Sequence, residues 1–229
     1  MRPVLIACSH GTSSPAGQAS VAGLVSAVAA RRPDLDVRAA FVDVEEPRVT
    51  AVLENLDGGP ARVVPLLLSA GYHVHVDLAE AVAAHPDATL AAALGPDPRI
   101  AQLLATRLFD AGLRDDDTVI VAAAGSSDTR AVEDCRDVAE ALGHIIGGAS
   151  SAAYLSAAEP RLDAAVTRAR EGGARVVVAT YLLAPGYFAD LAANCGADVV
   201  TTPLLVPTEP APAELVDLVL DRYEGTQGT

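Results

Sequence analysis

The stretch Gly59-Pro60-Ala61-Arg62-Val63-Val64-Pro65-Leu66-Leu67-Leu68-Ser69-Ala70-Gly71-Tyr72-His73 decides the fold. A turn signal leads into an almost unbroken apolar run, Val63–Leu68, which is of strand length. The run ends in small and polar residues before Gly71-Tyr72. The same landmarks return later in the chain. Gly59 and Ala61-Arg62-Val63-Val64 recur as Gly172 and Ala174-Arg175-Val176-Val177, 113 residues on (59 to 172). Glu46-Pro47-Arg48 recurs as Glu159-Pro160-Arg161 at that same spacing. Gly11 is matched by Gly125, and Gly71-Tyr72 by Gly186-Tyr187, so the offset drifts by two residues (113 to 115) across the repeat. Identities in one order across four landmarks, with drift confined to loops, mark an internal duplication.

Outward from that stretch, strand-length runs alternate with helix-period segments. Val4–Cys8 reads as a buried strand, and Val21, Leu24, Val25 and Val28 mark one face of the helix after Pro15. Val37–Val42 is a second strand, Pro47–Asn55 a helix, Leu78–Ala84 a short helix and Ala88–Leu94 a fourth strand. Ile100, Leu103, Leu104 and Leu108 mark another helix. Nearly all-apolar strands alternating with helices predict parallel sheets covered on both faces. The expected fold class is therefore α/β. It has two similar lobes, residues 1–113 and 114–229, each with a sheet of about four strands flanked by helices. The turn at Gly112–Asp117 is the expected junction.

Composition narrows the chemistry. The chain has 229 residues, 51% hydrophobic and 3% aromatic, with a formal net charge of −14. All sixteen cationic side chains are Arg. The absence of Lys excludes P-loop nucleotide binding and every Schiff-base mechanism. The acidic balance argues against a nucleic-acid partner. Cys8, Cys135 and Cys195 are too dispersed for a disulfide framework or a thiolate metal site. Met1-Arg2-Pro3 leads straight into a short strand-length run, so a soluble, cytoplasmic protein without a membrane segment is expected.

In an open parallel sheet, ligands bind beyond the carboxyl ends of the strands. The first strand releases Ser9-His10-Gly11-Thr12-Ser13-Ser14 there. The second releases Asp43, followed by Glu45-Glu46-Pro47, and the third Gly71-Tyr72-His73. The repeat supplies an internal control, because His10 corresponds to Ala124 and His73 to Phe188. The second lobe keeps Gly125, Pro160, Gly186 and Tyr187 but neither imidazole, so the His pair is not needed to build the lobe. His75 is a candidate auxiliary, His85 is expected to be solvated, and His144 is expected in a loop with no role. Two neutral imidazoles with a carboxylate suit a borderline divalent metal such as Fe, Co, Ni or Zn. Sparse protein ligation fits a metal in transit rather than a closed structural site.

These residues resemble the sirohydrochlorin chelatases, the class II metal-inserting enzymes of siroheme and cobalamin synthesis. The resemblance is carried by Ser9-His10-Gly11, by Phe41-Val42-Asp43 leading to Glu46-Pro47, and by Val64–Leu68 leading to Gly71-Tyr72-His73 and Asp77-Leu78. It covers essentially the whole chain, because the two-lobe members carry the same duplication. It implies chelatase-like, flavodoxin-like lobes facing a cleft, and ATP-independent insertion of Fe(II), or of Co(II), into sirohydrochlorin. It implies His10 and His73 as metal ligands and proton acceptors. Asp43 stands where the family often has Glu, and Glu46 is the substitute if the shorter carboxylate falls short.

The substrates are then a small-molecule tetrapyrrole and a divalent metal, and no other cofactor is required. Ni(II) and Zn(II) are expected to be accepted in vitro. Two lobes in one chain make a monomer sufficient, and a dimer is compatible. Sirohydrochlorin is a polycarboxylate, so a chain of net negative charge needs local donors. Thr12, Ser13 and Tyr72, with Ser126 and Ser127 in the second lobe, are the expected substrate-binding residues. Two rival readings keep the His pair or His10 alone: a non-catalytic metal or tetrapyrrole carrier, and a His-dependent phosphatase. The second is weakened because Ser9 stands where such enzymes place Arg.

Overall fold

The strand Val4–Ser9 (β1) is apolar on both faces because both faces are covered, and residues Leu5 to Ser9 are all buried. It pairs in parallel with β2 (Val37–Phe41) on one side and β3 (Ala61–Pro65) on the other, and β3 pairs with β4 (Ala88–Leu90). The order β2-β1-β3-β4 recurs as β6-β5-β7-β8 in a second parallel sheet. Its strands are β5 (Thr118–Ala123), β6 (Ser150–Tyr154), β7 (Val176–Tyr181) and β8 (Val199–Val200). The computed structural model describes residues 2–56, 58–69, 71 and 73–225, without the side chains of 73–75.

Eight α-helices lie among the described residues: α1 (Pro15–Arg31), α2 (Val49–Glu54), α3 (Ala79–Ala83), α4 (Pro98–Asp110), α5 (Thr129–Ile146), α6 (Leu162–Glu171), α7 (Tyr187–Ala193) and α8 (Ala213–Glu224). The starts of α1, α4 and α5 follow ordinary capping chemistry. The Ser14 hydroxyl accepts the Gly17 N–H at 3.3 Å ahead of Pro15, Asp97 caps α4 ahead of Pro98, and Asp128 caps α5. Helix α2 begins at Val49 rather than Pro47, because residues 46–48 form a bend at the strand end instead. Strands β3 and β4 are shorter than the apolar runs that announce them, although Leu66 still donates its N–H to Cys8 O at 2.7 Å. His144, expected in a loop, lies within α5. No described helix is long and apolar enough to cross a membrane.

The compact units are not the two sequence halves. One comprises the residues up to Leu94 together with Pro207 onward, and the other runs from Gly95 to Val206. The expected division at 113/114 therefore misplaces one helix at each end. Helix α4 packs on α5 and β7 in the second unit, and α8 packs on α1 and β3 in the first. The apolar stripes explain the assignment. Ile100, Leu104 and Leu108 of α4 are fully buried, as are Leu215, Leu218 and Val219 of α8. Helix α8 is also tied polar group by polar group. Arg222 donates to the carbonyls of Ala93 and Leu94 at 2.8 and 3.0 Å, Arg62 donates to Arg222 O at 3.0 Å, and the Tyr223 hydroxyl reaches Pro3 O at 2.6 Å.

A fragment of residues 1–113 should therefore show no cooperative thermal transition, and appending residues 207–225 through a flexible linker should restore one. In the full chain, Leu218→Ala should cost about 2–5 kcal/mol, the usual range for a buried Leu that leaves a cavity. Far-UV circular dichroism checks the first by heating and the second by urea denaturation.

Candidate functional site

Strand β1 has neighbours on both sides reached by crossovers of opposite direction, which makes the β1/β3 boundary the point where the winding reverses. Ligands of doubly wound sheets sit at that point, beyond the carboxyl ends. His10 directly follows β1, and the segment after β3 leads through Gly71 into a π-helical turn, His73–Leu78. Both elements expected to carry imidazoles thus leave the sheet at its switch point. π-Helical turns recur at functional sites. The matching segment of the second unit, α7, is an ordinary α-helix. Tyr72 lies outside the described residues, as do the side chains of His73 and His75.

The ends of β1 and β2 are stitched together by backbone. Val42 donates to Ser9 O at 2.9 Å, and Asp43 donates to His10 O at 3.0 Å. The second unit repeats both bonds, from Leu155 to Ala123 O and from Ser156 to Ala124 O, each at 2.9 Å. So close an approach requires glycine at the next position. Gly11 has φ +90°, and a Cβ there would lie 2.6 Å from Asp43 O. Gly125 has φ +91°, and a Cβ there would run into Ser156 O. The repeated glycines are the local cause of the shared geometry.

The half-buried His10 ring places Nδ1 3.4 Å from Gly11 O. Asp43 is exposed, and its Oδ1 accepts from Arg48 Nη1 at 2.8 Å. Its carboxyl is held below the usual carboxylate range, first by the Val44 N–H it accepts and then by the Arg48 guanidinium. Asp43 adjoins His10 through the backbone bond it donates to His10 O. Glu45, half-buried, accepts the Thr12 N–H at 2.8 Å. The Glu46 carboxylate accepts the Arg48 N–H at 2.9 Å, and Glu159 accepts the Arg161 N–H at the same distance. Glu46 thus has a duplicated, structural task, whereas Asp43 and Glu45 have no acidic counterparts, since Ser156 and Ala158 stand in their places.

The hydroxyls divide in the same way. Thr12 Oγ1 accepts the Ser14 N–H at 3.1 Å, and Ser126 Oγ accepts the Asp128 N–H at 3.0 Å. Both side chains shape the turn before a helix. Ser13 and Ser127 are exposed. Burial pushes the Cys8 thiol, two residues before His10, up to about 12, so no thiolate is offered near neutral pH. Among the described residues, no group of three or more His, Cys, Asp or Glu is arranged to hold a metal ion. Sequence reasoning missed Arg48, although the repeated Glu-Pro-Arg was in plain view as a landmark.

Two units of flavodoxin-like strand order, with imidazole and carboxylate at the switch point of one, define a chelatase-like α/β protein. The chain belongs to the CbiX family, whose sequence profile matches residues 4–111 and 118–192. It is 28% identical over 86 residues to a sirohydrochlorin cobaltochelatase of Methanococcoides burtonii, a match spanning 36% of this chain and 66%, just under two thirds, of that relative. Its fold matches SirB from Bacillus subtilis with Fe3+ at a TM-score of 0.80 and 19% identity, covering 98% of this chain and 95% of that one. It also matches CbiX, described as the terminal enzyme for biosynthesis of siroheme in denitrifying bacteria, at a TM-score of 0.69 and 22% identity, covering 96% and 98%.

Gly11→Ala should destabilise the chain by about 1–3 kcal/mol, the usual cost of a non-glycine residue held at positive φ. Gly125→Ala, which meets a closer carbonyl, should cost more. Equilibrium urea unfolding of the two variants checks the order.

Proposed function

We propose that this protein inserts a divalent metal into sirohydrochlorin without ATP. One observation carries the reading. A duplicated scaffold keeps its glycines, its Glu-Pro-Arg bend and its strand-end hydrogen bonds in both units, while His10, Asp43 and His73 belong to one alone. Their counterparts Ala124, Ser156 and Phe188 neither bind a metal nor take up protons. Family membership and the sirohydrochlorin cobaltochelatase relative support the same reading.

Insertion exchanges two pyrrole N–H protons for one dication. The protein must strip water from the metal, hold the macrocycle so that its nitrogen lone pairs face the ion, and accept the protons. His10 and His73 are the proposed metal ligands and proton acceptors, since neutral imidazole does both near pH 7. Asp43, ionised and beside His10, offsets the charge of the incoming metal. Its carboxylate, rather than that of Glu46, is assigned this role, because Glu46 shares its structural task with Glu159. Ser13 and Tyr72 are the proposed contacts for the carboxylates of the ring, whereas the Thr12 N–H and hydroxyl are spent on Glu45 and on the Ser14 N–H. Fe(II) is the proposed cargo, with Co(II) taken by the same ligands.

His10→Ala and His73→Ala should each lower the insertion rate by about 10²–10⁴-fold, the usual worth of a positioned acid–base group. Thermal melting of His10→Ala should remain near that of the wild type. The loss of the sirohydrochlorin absorption band under anaerobic Fe(II) or Co(II) measures the rate, and competition between the metals ranks them. Wild-type rates in both variants would end the assignment. Stoichiometric binding of tetrapyrrole with no acceleration over the spontaneous reaction would favour a carrier.

A further inference from the structure

Arg48 and Arg161 occupy the same place in the two units. Each sits immediately ahead of a helix, α2 or α6, and forms an isolated parallel bridge with the end of the second strand, Phe41 or Tyr154. Each donates its backbone N–H to the preceding Glu carboxylate at 2.9 Å. Each guanidinium also caps the carbonyl just beyond the strand: Arg48 Nη1 reaches Val42 O at 2.9 Å, and Arg161 Nη2 reaches Leu155 O. That is the scaffold role, and it is identical in both. Arg48 alone does something more. The same Nη1 donates to Asp43 Oδ1 at 2.8 Å, while Nε reaches Glu46 at 3.3 Å. At the matching position the second unit has Ser156, whose hydroxyl turns back to Ala124 O at 2.8 Å.

We propose that Arg48 is the positioning residue for the Asp43 carboxylate, fixing it beside His10 before the metal arrives. This inference rests on the role given to Asp43 above. The Asp43 side chain is 61% exposed and the Arg48 side chain 42%. An ion pair this exposed contributes little to stability, so its consequence lies in where it holds the carboxylate. The Val44 N–H alone leaves a short, solvated Asp one anchor, and the guanidinium adds a second that narrows its rotamers. Arg48 is anchored independently, at Val42 O and at Glu46, so its guanidinium is a fixed point from which one carboxylate oxygen is held. The duplication isolates this effect. Arg161 repeats the backbone bond and the carbonyl cap of Arg48, and what differs is the pair of guanidinium contacts to Asp43 and Glu46.

The experiment compares Arg48→Met with Arg161→Met, which keep the aliphatic stem and lose the guanidinium. Both should lower the melting temperature by similar amounts. Only Arg48→Met should slow metal insertion into sirohydrochlorin, by about 10–100-fold, as expected for a residue that orients a metal-site group. Arg161→Met should stay within about twofold of wild type, and Arg48→Lys should recover part of the loss. Combining Arg48→Met with Asp43→Asn should slow insertion no further than Asp43→Asn alone. Titration with Co(II) alone, followed by its visible absorption, should show a weaker and spectrally altered site in Arg48→Met and an unchanged one in Arg161→Met.

Equal insertion rates in Arg48→Met and Arg161→Met, or additive losses with Asp43→Asn, would overturn the role of Arg48 and leave that of Asp43 standing. A wild-type rate in Asp43→Asn would overturn both. Should the wild type fail to metallate the tetrapyrrole, the proposed function falls. The cobalt titration then decides alone, and an unchanged spectrum and Kd in Arg48→Met would overturn the inference.

Discussion

A single backbone hydrogen bond, from the N–H of residue 43 to the carbonyl of His10, sets the spacing on which the candidate site depends. It draws the loop after β2 against the end of β1, closer than a β-carbon at position 11 would permit. Once that approach is made, residues 43 and 10 adjoin through their backbones. The residues that carry the acidic group and the imidazole then adjoin for a reason that involves neither side chain. The twin bond between Ser156 and Ala124 makes the point, since the same approach survives where no chemistry remains.

Duplication separates what the fold needs from what the site needs. The glycines, the Glu-Pro-Arg bends and the bonds across the strand ends occur twice, and they serve the backbone. A buried or half-buried main chain must satisfy its N–H and C=O groups wherever it turns, and that demand is the same in both units. Side chains that protrude past the strand ends face no such demand. They were free to diverge into Ala, Ser and Phe in one copy while His and Asp persist in the other. Net charge adds a constraint of another kind. A chain of −14 repels an anionic ligand at long range, so any polycarboxylate must be recognised by short-range donors.

Most of the architecture was legible because its signals are local. Val4–Cys8 and Val63–Leu68 are too apolar to be anything but strands covered on both faces, and the segments between them carry a helical period. Boundaries were less legible: Pro47 looks like a helix opening, yet Arg48 is drawn into a bridge with Phe41 and α2 waits until Val49. The division into units was the largest difference. Helices α4 and α8 each carry an apolar stripe that fits a sheet, and nothing in their periodicity says which sheet. Arg222 reaching the carbonyls of Ala93 and Leu94 is a contact across more than half the chain, invisible in any window of sequence.

The candidate site splits along the same line. By itself the sequence determined the fold class, the duplication, and which residues one copy has and the other lacks, because apolar periodicity and residue identity are properties of the chain read in order. It also put Asp43 first among the carboxylates with Glu46 as the substitute, and made Arg48 a mere landmark. Only the tertiary structure told them apart. Glu46 turns to the N–H of Arg48, Glu45 to that of Thr12, and Asp43 to the Nη1 of Arg48. The physical reason is that a carboxylate takes its role from the donors around it, and those donors come from strands and loops that meet only when the sheet is assembled.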